Sequence, residues 1–291
     1  MNFLVDVFES LPEFGVVARC AAARTPMAVT GLSHIHKAAL LFALCRRAKR
    51  PALLLCGDEG ECSRFLEDLT AMGLKAAVFP ARDLAFRPVE GVSREFEHQR
   101  LSVLCGMMKG RYDVVLTTPD AAMLFTMPPE ELVRRTRELT PGMAFPVKEA
   151  AQALLAAGYR RYEQIDGMGQ FSIRGGIIDF FPSGAALPVR LELWGDEIDT
   201  ITSFSIESQR RVDILSCAFI TPATETPVEN PKALALKLEK LAGSLRGKMA
   251  AAARGRLDSD AQKLKDGVEL SAMDAYLPLL WETPATLFDY A

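Results

Sequence analysis

The stretch 170–194, QFSIRGGIIDFFPSGAALPVRLELW, leaves the chain few ways to fold. In 188–194, Val189, Leu191 and Leu193 alternate with Arg190, Glu192 and Trp194. Successive strand side chains point to opposite faces, so the first set faces a core and the second faces outward. In 170–174, Phe171 and Ile173 face in, and Gln170, Ser172 and Arg174 face out. Gly175 and Gly176 then admit a bulge or a tight bend. Gly195-Asp196-Glu197 reads as a hairpin turn into a strand over 198–206. The expectation is a small antiparallel meander with Arg174, Arg190 and Trp194 exposed. An outward tryptophan flanked by arginines has the composition of a binding hot spot. The competing expectation is that Trp194 curls under a helix as ordinary core.

The rest of the chain frames this meander. Residues 1–25 predict one or two lead-in helices. Short apolar runs at 27–30, 51–56, 74–79 and 113–118 predict strands. They alternate with predicted helices at 37–49, 61–72 (closed by Gly73) and 95–109. That alternation implies a parallel sheet covered on both faces. After Pro128-Pro129 the pattern changes: a helix at 147–157 ends before Gly158, and the meander follows to about Ile220. Pro222, Pro227 and Pro231 mark a boundary, and 232–270 is helical and charged. The final apolar run, 286–290, reads as a strand cut near its end, as in an excised fragment.

A chemical question arises at Gly31-Leu-Ser-His-Ile-His36-Lys37-Ala38. Gly31 and Lys37 have the spacing of a phosphate loop, G-x-x-x-x-G-K-[ST], between a strand and a helix. His36 stands where the second glycine would be, and Ala38 where the Ser or Thr would be. An imidazole fills phosphate space, and alanine has no hydroxyl for a magnesium ion. No strand ends in an acidic D-E-x-H motif. The loop therefore reads as degenerate, without nucleotide chemistry, although an anion could still visit the helix N-terminus.

Composition narrows the class further. The chain has 291 residues, 49% hydrophobic and 24% charged, with net charge −3. That balance argues against a chain built mainly to hold nucleic acid. Cys20, Cys45, Cys56, Cys62, Cys105 and Cys217 form no C-x-x-C pair and read as free thiols in a reducing cytoplasm. With only His34, His36 and His98, a histidine-rich metal site is not expected. The N-terminus lacks a basic n-region, and no apolar run approaches the length of a membrane span. Arg82-Asp83 predicts a loop ion pair, and His98 a solvated helix face. The basic run 232–265 reads as a solvated face ahead of a DNA contact, since it lacks aromatic residues for base stacking. No catalytic residue, metal or cofactor is expected.

Residues 162–211 resemble the damage-recognition module shared by UvrB and the bacterial transcription-repair coupling factor (Mfd). RGGIIDFFP, PVRLELWGDEI and FSIESQR carry the likeness. LPLLWETPATLFDY and VTGLSHIHKA favour the coupling-factor family, where the phosphate loop is degenerate, over UvrB, where it is intact. The resemblance implies an α/β protein. Its RecA-like (P-loop NTPase-like) parallel-sheet domain, 1–130 and 223–291, is interrupted by an α+β inserted domain, 131–222. It implies that the inserted domain binds UvrA through the positions of Arg174, Arg190 and Trp194, the last often Phe in the family. It also implies that the RNA polymerase-binding module and the DNA translocase motor lie beyond residue 291. The alternative from a different class is a UvrB-like ATP-dependent repair helicase subunit.

Overall fold

The apolar runs at 52–55, 76–79 and 114–117 form one parallel sheet. Its order is β1–β3–β2, with β1 Ala52–Leu55, β2 Ala76–Phe79 and β3 Val114–Thr117. The computed structural model describes residues 2–82, 94–247, 250–270 and 272–291. They fall into two units, one of 1–81, 103–124 and 290–291, the other of 82–102 and 125–289.

In the first unit, β3 is central and buried at every position, as a strand flanked on both edges should be. Helices α1 (Asn2–Glu9), α2 (Pro12–Ala23) and α3 (His34–Ala48) precede β1, and α4 (Glu59–Ala71) lies between β1 and β2 in sequence. Phe42 of α3 and Phe65 and Leu69 of α4 pack in one core with Val114 and Leu116. Helix α4 begins at Asp58, whose carboxylate accepts from Glu61 N at 2.7 Å, while Glu61 Oε2 accepts from Gly57 N at 2.7 Å. These reciprocal bonds satisfy donors that a helix start leaves open. The helix closes before Gly73, which adopts φ +90°.

Helix α5 (Glu95–Met108) crosses the division between Ser102 and Val103. Helix α6 (Pro119–Met123) completes the first unit.

After its share of α5, the second unit continues with α7 (Pro129–Arg135), β4 (Arg137–Leu139) and α8 (Val147–Ala156). Gly158, at φ +90°, donates to Leu155 O, and Tyr159 N donates to Leu154 O. This Schellman pair stops α8 where the glycine stands in the sequence. A six-stranded sheet follows: β5 (Arg160–Arg161), β6 (Gln170–Arg174), β7 (Ile177–Phe180), β8 (Val189–Trp194), β9 (Glu197–Phe204) and β10 (Arg211–Ile214). The β6–β10 strands pair antiparallel with their sequence neighbours, and β5 pairs parallel with β6. Phe171, Ile178, Phe180, Leu191 and Ile201 bury one face against Ala150 and Leu154 of α8. β11 (Ala218–Ile220) returns to pair with β4. Helices α9 (Pro231–Ser244) and α10 (Ala250–Lys265) pack on each other through Leu234, Leu238, Leu257 and Leu264, followed by the short α11 (Leu277–Leu280).

The structure departs from the sequence reading in several places. Residues 27–30 form no strand: Met27 and Val29 are about half exposed, so the apolar run has no partner to bury it. Residues 287–290 form a 3₁₀ turn in place of a terminal strand. Asp289 accepts from Thr286 N and Thr286 Oγ1, which caps a turn and not a ladder. The helical 232–270 segment is two helices. Ser172 is buried, because its hydroxyl donates to Glu163 O at 2.7 Å. No helix among the described residues is long and apolar enough to cross a membrane.

Candidate interaction surface

The face of the six-stranded sheet opposite the one packed on α8 carries the charged residues that period two assigns to it, with Ser172, Asp179 and Thr202 buried within it. The two-glycine turn sets the register of β6 and β7, pairing Arg174 with Ile177 and Ser172 with Asp179. β8 then pairs Arg190 with Asp179. Ser172, Asp179, Arg190 and Thr202 thus form one cross-strand row. Arg174 lies on the diagonal from Asp179, within reach of a long side chain.

Asp179 is 2% exposed and joins both arginines. Arg190 Nε donates to Oδ1 at 2.7 Å and Nη2 to Oδ2 at 2.9 Å, while Arg174 Nη2 donates to Oδ2 at 2.7 Å. The Arg190 guanidinium also lies 4.4 Å from the centre of the Phe204 ring. Its hydrogen bonds to Asp179 raise its already high pKa. Sequence reasoning found both arginines and missed this acid. The signal was present in RGGIIDFFP, since a hairpin about the two glycines sets Asp179 on the face of Arg174.

Trp194 ends β8 and is 84% exposed, which removes the reading of it as core. One extra residue of β9, Asp199, interrupts the ladder between the Glu192–Thr200 and Leu193–Ile198 pairs. Trp194 then pairs with Glu197 across the Gly195 turn, where φ is +63°. Ile177, paired with Glu192, and Ile214, paired with Thr202, are also exposed, and Arg211 pairs with Glu192 at 3.0 Å. The outer face therefore presents an aromatic anchor, an arginine fork and apolar flanks. Such a surface can take up a carboxylate and an apolar cleft together.

Geometry at the other predicted positions is different. Gly31 has φ +78° and opens into free space. His36 and Lys37 are exposed at the first turn of α3, where Ser33 Oγ lies 3.0 Å from His36 Nδ1. Ala38 is fully buried in the core beside Phe42, so its position is committed to packing. Because 27–30 form no strand, the strand–loop–helix context of a phosphate loop is not formed by the described residues.

His98 is not on a solvated face. It is 9% exposed, its Nε2 lies 2.8 Å from where a Cβ on Gly169 would sit, and burial lowers its pKa. Asp83 lies outside the described residues. Its neighbour Arg82 pairs instead with Glu225 at 2.7 Å. Glu225 is fully buried and also accepts from Arg100 Nε at 2.8 Å and Thr126 Oγ1 at 2.5 Å. Burial pushes its pKa up, but Arg100 and Arg82 outweigh that and hold it at about 2. Along 232–265, Lys265 pairs with Glu239 and Lys263 with Asp260, and Lys237 donates to Leu279 O. Lys248 lies outside the described residues. Among the described residues no group of acids, histidines and cysteines is arranged for a metal ion.

Residues 138–225, which span the whole six-stranded sheet, match the family model described as the UvrB interaction domain. Arg174, Asp179, Arg190 and Trp194 all lie within the matched residues. Over 90% of its length the chain is 30% identical to the transcription-repair-coupling factor of Bacillus subtilis strain 168, covering 23% of that protein. It is 29% identical to the factor of Haemophilus influenzae over 78% of this chain and 19% of that one. It is 24% identical to the factor of Staphylococcus aureus MRSA252 over 90% and 23%. The chain thus spans roughly a fifth to a quarter of the length of these relatives.

Proposed function

We propose that this chain is a recruitment module of transcription-coupled nucleotide excision repair, and that it binds UvrA through the outer face of the interaction domain. The observation that carries this is the pairing of Arg174 and Arg190 on buried Asp179, with Trp194 fully presented at the end of the strand that carries Arg190. Arg174 and Arg190 meet carboxylates of UvrA, and Trp194 fills an apolar pocket. In the whole protein this would couple a stalled RNA polymerase to UvrA-dependent repair in the cytoplasm, with DNA and polymerase engaged mainly by regions outside the chain.

The domain plan that suits this role is a RecA-like frame, 1–130 and 223–291, around an inserted domain, 131–222. The frame holds no productive nucleotide site, because His36 and Ala38 replace the residues that would cradle phosphate and hold magnesium. The chain itself is then no enzyme and needs no cofactor. Added Mg-ATP is expected to leave its melting temperature unchanged. A site filled at 100 times its dissociation constant would add about 2.7 kcal/mol of stability, and a shift of that size would favour a UvrB-like motor subunit.

Titration of the chain with UvrA tests the recruitment role. Micromolar or tighter binding is expected. Arg174→Ala should weaken it about thirtyfold, close to 2 kcal/mol, with the fold intact. Absence of binding by the wild-type chain would overturn the role.

A further inference from the structure

Asp179 does more than neutralise charge. Its Oδ2 is shared by Arg174 Nη2 and Arg190 Nη2, so two guanidinium groups that repel each other converge on one oxygen. Their holds differ. Arg190 is gripped at Nε and Nη2 by Asp179, reaches Gln209 O through Nη1 at 3.5 Å, and lies over Phe204. Its side chain is 18% exposed. Arg174 is held by Nη2 alone and its side chain is 49% exposed. A guanidinium has five N–H donors in a rigid fork, so fixing one end aims the others. Arg190 and Asp179 form a base, and Arg174 is the arm that projects from it.

We propose that Asp179 is a positioning residue of the interaction surface: it sets the fork of Arg174 so that its unused N–H groups meet a partner carboxylate. This rests on the recruitment reading for the identity of the partner. The two arginines and Asp179 together carry one net positive charge. A single carboxylate held in a set direction therefore suits the cluster better than a run of phosphates, which rewards charge over direction. A buried acid under a cationic surface is unfavourable if charge alone attracts the partner. It is favourable if the geometry of the donors decides.

The two possibilities predict opposite signs for Asp179→Asn. This change removes a negative charge and makes the surface more cationic. Charge alone then predicts tighter binding of an acidic partner. Positioning predicts about tenfold weaker binding to UvrA, with the fold kept. Asp179→Glu retains the charge, moves the carboxylate outward by one methylene, and should weaken binding as well. In an Arg174→Ala background, Asp179→Asn should cost clearly less than it does in the wild-type chain, because the arm it sets is gone and only Arg190 is left to loosen. Equal or tighter binding by Asp179→Asn would overturn the proposal, as would the same loss with and without Arg174.

A second readout needs no partner. In the wild-type chain the Arg190 Nε–H, bonded to Asp179 at 2.7 Å, should give a slowly exchanging signal in a ¹H–¹⁵N spectrum. Asp179→Asn should bring that signal to the exchange rate of the exposed arginines. An unchanged signal would show that Asp179 does not hold the Arg190 base on which the Arg174 arm is set. If the wild-type chain fails to bind UvrA while the Nε signal behaves as stated, the recruitment reading falls and the Arg190–Asp179 base stands.

Discussion

Replacing Glu225 by alanine is expected to destabilise the second unit by about 3–5 kcal/mol, measured as a lower urea midpoint. The reason is the cluster left behind. Arg100 is fully buried and Arg82 nearly so, and both pair with this one carboxylate. Deleting it removes the one carboxylate that both guanidinium groups share away from bulk water. A typical domain is stable by only about 5–15 kcal/mol, so the loss would be a large share of the total. The same carboxylate sets a pH dependence. Its pKa falls from 4.5 to about 2 on folding, so the unfolded chain binds the proton more readily. The contribution is complete above pH 4.5 and is lost as pH falls toward 2, a change on the order of 3 kcal/mol. Glu225→Gln should remove this part of the acid sensitivity while lowering stability at neutral pH. A variant whose urea midpoint matches the wild type at pH 7 would show that the cluster is not structural.

Glu225 was hidden in the sequence for a physical reason. It lies in PATETPVEN, a polar and proline-rich stretch that reads as a loop and boundary. Its partners, Arg82 and Arg100, are 143 and 125 residues away in the chain. Nothing local indicates that two arginines and one glutamate will be buried together. His98 was misjudged for the same reason. Glu95, Glu97 and Arg100 around it suggest a wet helix face, but Glu97 is spent on Thr224 and on the Glu225 amide, and Gly169 covers His98. Charged residues that pair over long separations imitate a solvated surface.

The meander was legible because its information is local. Period-two alternation assigns faces, Gly175-Gly176 and Gly195-Asp196 place the turns, and the turns fix the register. Arg174 and Trp194 are therefore where the alternation puts them, and Arg190 lies on the same face though it is only partly exposed. Residues 27–30 and 286–290 show the limit of the same rule. Apolar composition marks a possible strand, but a strand exists only where another strand pairs with it, and the described residues supply none there.

Trp194→Ala should weaken UvrA binding by about 2–4 kcal/mol, thirtyfold to roughly a thousandfold, while leaving the stability of the chain within about 0.5 kcal/mol. The combination follows from exposure. At 84% exposed, the indole contributes little to the sheet that carries it, so truncation removes almost no packing. An aromatic side chain of this size can bury about 150–250 Å² against a partner. β8 keeps its place through Val189 and Leu191 in the core, and the Gly195 turn does not depend on the ring. Trp194→Phe should retain most of the binding, since an aromatic face remains with less area. Isothermal titration beside thermal unfolding of each variant separates the two effects. If Trp194→Ala loses stability in step with affinity, the indole is part of the fold. If it loses neither, the partner does not use the end of β8, and the arginine fork would have to carry recognition alone. Loss of affinity at constant stability is the signature of a side chain held on a rigid sheet for another molecule.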